Sequence, residues 1–146
     1  MKIREIVELV NERKLPIVSE TCSLEAVMNI MHGSQHSRLV YVVSEKKELK
    51  GTISLDMLVK HIFPHKFEPK IHPRRLIEMV TSEIARDIML KNPATAMEDE
   101  DAELVLKRMI DANVNEIAIL DCEGKIIIDL TMLDLLKSLP DLWKNN

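Results

Sequence analysis

Thr131 and Asp134 stand three residues apart in IIIDLTMLDLL (126–136), where a β-branched run gives way to leucines. A hydroxyl and a carboxylate at that spacing can do two things. At the start of a helix they cap each other's backbone N–H groups. The same helix end offers free N–H groups and the positive pole of a dipole, which suits a phosphate. The residues alone leave capping and ligand binding both open. A looser second instance is Ser54 with Asp56 in SLDMLV (54–59). Asp56 comes one residue early, and one helical residue is a turn of about 100°, so it is expected to point away from the direction Asp134 takes.

The other chemistry-bearing clusters are weaker. The segment from His61 to Arg75 sets His61, His65, Lys66, Lys70, His72, Arg74 and Arg75 against Glu68 alone. His72, Arg74 and Arg75 are candidates to hold an anionic phosphate tail. A metal reading would use His61, His65 and His72, but Pro64 interrupts the helical face that a spacing of four requires. No Cys or acidic pair has ligand spacing, so no metal site is assigned. EDED (98–101) reads as a cap and a solvated first turn. There is no GxSxG, HExxH or P-loop, and three glycines are too few for a phosphate-cradling loop, so no enzyme is expected.

The elements that must position these residues come in a repeat. SLEAVMNIMHGSQHSRLVYVV (23–43) lies over DAELVLKRMIDANVNEIAILD (101–121), with Glu25, Val27 and Met31 on Glu103, Val105 and Met109. Leu39 and Val40 then fall on Ile117 and Ala118. The first copy carries one extra residue in a polar turn, SEKKELKG against DCEGKIII, and the copies close with SLDMLV and TMLDLL. Ser23 and Asp101 read as N-caps of helices with apolar spacing near 3.6. RLVYVV (38–43) and EIAILD (116–121) read as strands, LKGTIS and KIIIDL as return strands, and Ser54–Ile62 and Thr131–Leu139 as helices. PIVSE (16–20) and PATAM (93–97) read as extended pieces, each after a helical scrap, IREIV (3–7) and ARDIM (85–89).

The fold expected is therefore α/β (α+β): two β-α-β-β-α repeats packed with pseudo-twofold symmetry and a cleft between them. The boundaries are 1–62 for the first repeat with its lead-in, 63–81 for a Pro/His/basic linker, 82–140 for the second repeat and 141–146 for a tail. Pro64, Pro69 and Pro73 stop the preceding helix, and Pro73 fits the first turn of a new one running towards Ser82. A unit of roughly 50 residues is marginal alone, and two copies in one chain can bury their sheets against each other.

In this order of elements the chain resembles a tandem pair of CBS (cystathionine-β-synthase) domains, a Bateman module. The second copy, ARDIMLKNPATAMEDEDAELVLKRMIDANVNEIAILDCEGKIIIDLTMLDLL, carries the resemblance best. The resemblance implies a regulatory, non-catalytic module that takes an adenosine compound (AMP, ADP, ATP or S-adenosylmethionine) in the inter-repeat cleft. It also implies that Thr131 and Asp134 contact phosphate and ribose, that Thr95 lines the pocket, and that Ala118 and Ile119 pack the base. Ile128 stands where the family usually has Gly, three residues before the Thr. In the first copy Gly51 and Ser54 match, but Met57 holds the position of Asp134, so Ser54 and Asp56 make at most a weak site. The alternative is a ligand-free dimerisation or interaction scaffold of the same type.

Composition sets the outer limits. The 146 residues carry a net charge of −4, which argues against nucleic acid as the main partner. Charge is uneven: +3 over residues 1–80 and −7 over 81–146. No window reaches the ~18–20 apolar residues that cross a bilayer. MKIREIVELV carries acids among its apolar residues and does not read as a signal peptide. Cys22 and Cys122 are lone thiols, which fits a cytoplasmic protein. Apolar faces on the 54–62 and 131–139 helices predict a homodimer. With no effector domain in the sequence, the output is expected to pass to a client protein.

Overall fold

The computed structural model describes residues 1–10, 13–34, 38–63 and 72–144, the last six by backbone alone. The chain divides into two compact units. A central unit runs from Pro16 to Pro93, and a composite unit joins Met1–Leu15 to Ala94–Asn146.

The central unit holds β1 (Ile17–Ser19), α2 (Leu24–Gly33), β2 (Leu39–Val43), β3 (Leu49–Ser54), α3 (Leu55–Ile62), α4 (Pro73–Ser82), α5 (Ala85–Ile88) and β4 (Leu90–Lys91). Its sheet runs β1-β2-β3-β4, with β1 parallel to β2 and the other pairs antiparallel. The composite unit holds α1 (Ile3–Leu9), β5 (Thr95–Met97), α6 (Ala102–Ala112), β6 (Glu116–Leu120), β7 (Ile126–Thr131) and α7 (Met132–Lys144). Its sheet runs β5-β6-β7, again parallel then antiparallel.

Local chemistry explains the helix starts. Ser23 accepts a hydrogen bond from Ala26 N–H, Asp101 from Glu103 N–H and Ser54 from Met57 N–H. Pro73 opens α4 where its missing N–H costs nothing, and His72 Nδ1 accepts from Arg74 N–H. Asn113 ends α6 in the left-handed conformation. Helices α2 and α6 each turn an apolar stripe to one core. Val27 and Met31 meet Val18, Val40, Val42, Ile53 and Leu58 in the central unit. Val105 and Met109 meet Ala96, Ile117, Ile119, Leu130 and Leu135 in the composite unit.

The repeats are contiguous in sequence, but the compact units are not. Helix α1, the lead-in of the first repeat, packs Ile3 and Ile6 fully buried into the core of the second. Helix α5, the lead-in of the second, buries Ala85 in the core of the first. Backbone bonds repeat the exchange: Ala85 N–H and Arg86 N–H donate to the carbonyls of Cys22 and Glu20, and Ile3 N–H and Arg4 N–H to those of Glu100 and Glu98. A division at residues 62 and 82 thus follows the repeats in sequence, whereas the packing assigns each lead-in to the other copy's core.

The strand registers correct the alignment of the copies. Leu39 pairs with Ser54, and Glu116 with Thr131, so Leu39 corresponds to Glu116 and not to Ile117. Both hairpins have the same length, a register shift at the same place, and a left-handed residue in the same turn position, Lys47 or Gly124. The extra residue of the first copy therefore lies between α2 and β2. Matching apolar letters shifted the frame because a half-buried Leu39 answers to a charged Glu116. Strand β4 was not expected; it covers Gly51, where an added Cβ would lie 2.7 Å from the Leu90 carbonyl oxygen. Helix α7 runs past the expected end at Leu139 to Lys144, so residues 141–144 are helix and not a tail. It does so at the cost of the one hydrogen bond that Pro140 cannot donate.

Candidate functional site

Side chains alternate across a strand, so register fixes which residues share a face. In the composite sheet Thr95 pairs with Ala118, Ala118 with Asp129, and Glu116 with Thr131. Thr95, Ala118, Asp129 and Thr131 thus lie on one face. Ala96, Ile117, Ile119 and Leu130 lie on the other, in the core. Both residues expected against a base are buried: Ala118 is 1% exposed, on the face it shares with Asp129, and Ile119 is 0% exposed, in the core.

The β7–α7 junction ends that face. Met132 N–H donates to the Asn115 carbonyl at 2.7 Å and fixes the junction to the start of β6. Thr131 N–H donates to Asp134 Oδ2 at 2.8 Å, and Asp134 N–H donates to Thr131 Oγ1 at 3.1 Å. This is a reciprocal capping box, so the capping reading of the pair is realised in the molecule.

Sequence reasoning missed the next partner. Arg13 Nη1 donates to Asp134 Oδ2 at 3.1 Å and Nη2 to Oδ1 at 3.2 Å. The two side chains are 19% and 17% exposed. Burial pushes the Asp134 carboxyl up, but the hydrogen bonds from Arg13 and Thr131 and the guanidinium charge outweigh it and hold the group below the usual carboxylate range. No local spacing announces this pair, because the partners are 121 residues apart.

Thr95 is positioned by a second arginine. Arg108 Nη1 donates to the Thr95 carbonyl at 2.7 Å, and the same guanidinium grips Glu100 at 3.0 and 2.6 Å. Glu100 also accepts from Met97 N–H at 2.8 Å. Arg108 is the main reason the Glu100 carboxyl lies below its ordinary value. Asp129 is fully buried on the same face as Thr95 and Ala118. Its interruption of the β-branched run was visible in the sequence, but its burial was not.

The central unit offers less. Ser54 caps Met57 N–H, and Met57 occupies the position of Asp134. Asp56 is 72% exposed and pairs with Lys60 on the surface. His72, Arg74 and Arg75 are exposed at the start of α4, in the central unit and not in the unit that holds Thr131 and Asp134. His61 pairs with Glu83; His65 lies outside the described residues. Among the described residues no group of three or more His, Cys, Asp or Glu could hold a metal ion, and no helix is long and apolar enough to cross a membrane.

The CBS domain family profile matches residues 3–64 and 85–141. The chain belongs to the CBS domain family, as a tandem pair. It is 32% identical over 104 residues to an uncharacterized protein of Methanopyrus kandleri, a match that covers 70% of this chain and 47% of that one. The CBS pair thus spans about half the length of that curated relative. Among solved structures, a CBS domain-containing protein of Thermotoga maritima is 29% identical with a TM-score of 0.75, covering 100% of this CBS pair and 96% of that chain. The cytosolic domain of the Mg2+ channel MgtE, solved in complex with ATP, is 25% identical with a TM-score of 0.63, over 83% of this CBS pair and 43% of that chain.

Proposed function

We propose that this CBS pair is a regulatory module that binds an adenosine nucleotide or a related compound at the β7–α7 junction. The observation that carries this reading is the shared face: Thr95 and Ala118 in register, ending at Thr131 and Asp134 on a helix N-terminus. Asp134 accepts ribose hydroxyls. The Thr131 hydroxyl donates to phosphate, aided by the dipole of α7. Ala118, small and on the polar face, packs the base beside Thr95, while Ile119 offers only its backbone. ATP bound to the related MgtE domain supports the ligand class. Output passes to a client protein, in the reducing cytoplasm that two free thiols suit.

Calorimetric titration with AMP, ADP, ATP and S-adenosylmethionine tests the reading, with Asp134→Ala as control. One site per chain is expected, because Met57 removes the carboxylate from the central unit. Absence of heat and of thermal shift for all four ligands would leave the second reading, a ligand-free scaffold. One observation favours that second reading: Asp134 already has its cap and its arginine.

Self-association belongs to the same proposal. In the central unit an apolar groove of about 640 Å³ is lined by Met28, Met31, Leu55, Val59, Ile62 and Phe63. In the composite unit Leu133 and Leu136 are exposed on α7. Such faces suit a second copy of the chain.

A further inference from the structure

An ionised carboxylate has about four lone-pair directions on its two oxygens. At Asp134, Arg13 takes one on each oxygen, and Thr131 N–H takes another on Oδ2. A ribose diol needs an acceptor for each of two hydroxyls, and that many are not left. The carboxylate that would read the sugar is already bound to the chain's own guanidinium.

We propose that Arg13 is the specificity-determining residue of this site: it occupies the ribose-reading carboxylate of Asp134, so only a ligand that carries its own anion can displace it. The proposal rests on the nucleotide reading above. A neutral hydroxyl cannot replace a bidentate, charge-assisted pair on equal terms, since hydrogen bonds between ionised groups are roughly twice as strong as neutral ones. A guanidinium released at a partly buried position also keeps its desolvation cost unless a new anion meets it. A nucleotide brings both groups needed for the exchange. Its diol takes the carboxylate, and its phosphate takes the guanidinium. A nucleoside brings only the first. The site therefore discriminates by charge through a contact made before any ligand arrives, as a binding equilibrium with an internal competitor.

The test compares AMP with adenosine on the full chain, by calorimetry, in the wild-type protein and in Arg13→Gln. The wild-type protein should bind AMP at least tenfold tighter than adenosine. In Arg13→Gln adenosine affinity should rise about tenfold and the AMP-to-adenosine ratio should fall about tenfold, to the preference that Thr131 and the α7 N-terminus alone supply. Arg13→Lys, which keeps the charge but loses the fork, should fall between the two and guards against a folding defect in the glutamine variant. Wild-type binding of AMP with an unchanged ratio in both variants overturns the role of Arg13 and leaves the nucleotide site standing. Failure of every protein to bind either compound overturns the site itself, and the proposal with it.

Discussion

Arg13 and Asp134 meet as a fork on a carboxylate, one Nη on each oxygen, at 3.1 and 3.2 Å. The pair ties the segment after α1 to the first turn of α7, within one compact unit. Its carboxyl titrates below the ordinary value of 3.8 in the folded protein. The stabilisation is therefore complete at neutral pH, starts to fade near the unfolded value, and is lost as pH falls through the depressed folded one. Asp134→Asn should lower stability by about 2 kcal/mol at pH 7, from the lost charged hydrogen bonds and a weakened cap. The gap from the wild-type protein should close below pH 3.8, the ordinary carboxyl value. Urea unfolding at several pH values checks both.

Removing Arg108 should loosen β5 rather than unfold the unit. The guanidinium is 38% exposed and Glu100 31%, so screening by solvent keeps the expected loss for Arg108→Ala near 1 kcal/mol. The local effect should be larger, because the Thr95 carbonyl loses its donor and Glu100 its anchor. Hydrogen exchange at Met97 N–H, which Glu100 accepts, should quicken more than exchange in β6.

Two glycines should respond with opposite signs. Gly51→Ala sets a methyl 2.7 Å from the Leu90 carbonyl oxygen and the Met89 sulfur. Backbone must move, and a loss of about 1–3 kcal/mol is expected. Gly33 ends α2 with no described residue near its missing Cβ. Gly33→Ala should stabilise by about 0.5 kcal/mol through helix propensity and a less disordered unfolded chain. Thermal melts of the two variants read the signs directly.

Val59 is 49% exposed on α3, beside the apolar groove. Val59→Glu should turn a dimer at micromolar concentration into a monomer, with the thermal midpoint of the monomer little changed. Sedimentation velocity decides it. A wild-type protein that sediments as a monomer contradicts the self-association proposal.

The order of elements was legible because each copy punctuates itself: Ser23 and Asp101 cap, the polar SEKKELKG and the Gly124 turn break the strands, and apolar spacing changes period at each boundary. The direction of Asp56 was legible from helix geometry, and it points to Lys60 at the surface. Three things were not. The frame of the second strand slipped, since hydrophobicity cannot tell Leu39's edge position from Ile117's core position. The exchange of lead-in helices leaves no mark in local spacing. The arginine partners of Asp134 and Thr95 are long-range contacts, and a sequence names candidate charges without saying which meet.

The exchanged lead-ins also bear on how such a chain arises. A polypeptide with one repeat would carry a helix suited to another molecule's core and lack the helix for its own. It could close only by trading arms with a twin. Joining two copies end to end makes that trade internal, and any gene fragment cut at the proline-rich joint would need to find its lost half before either piece held a shape.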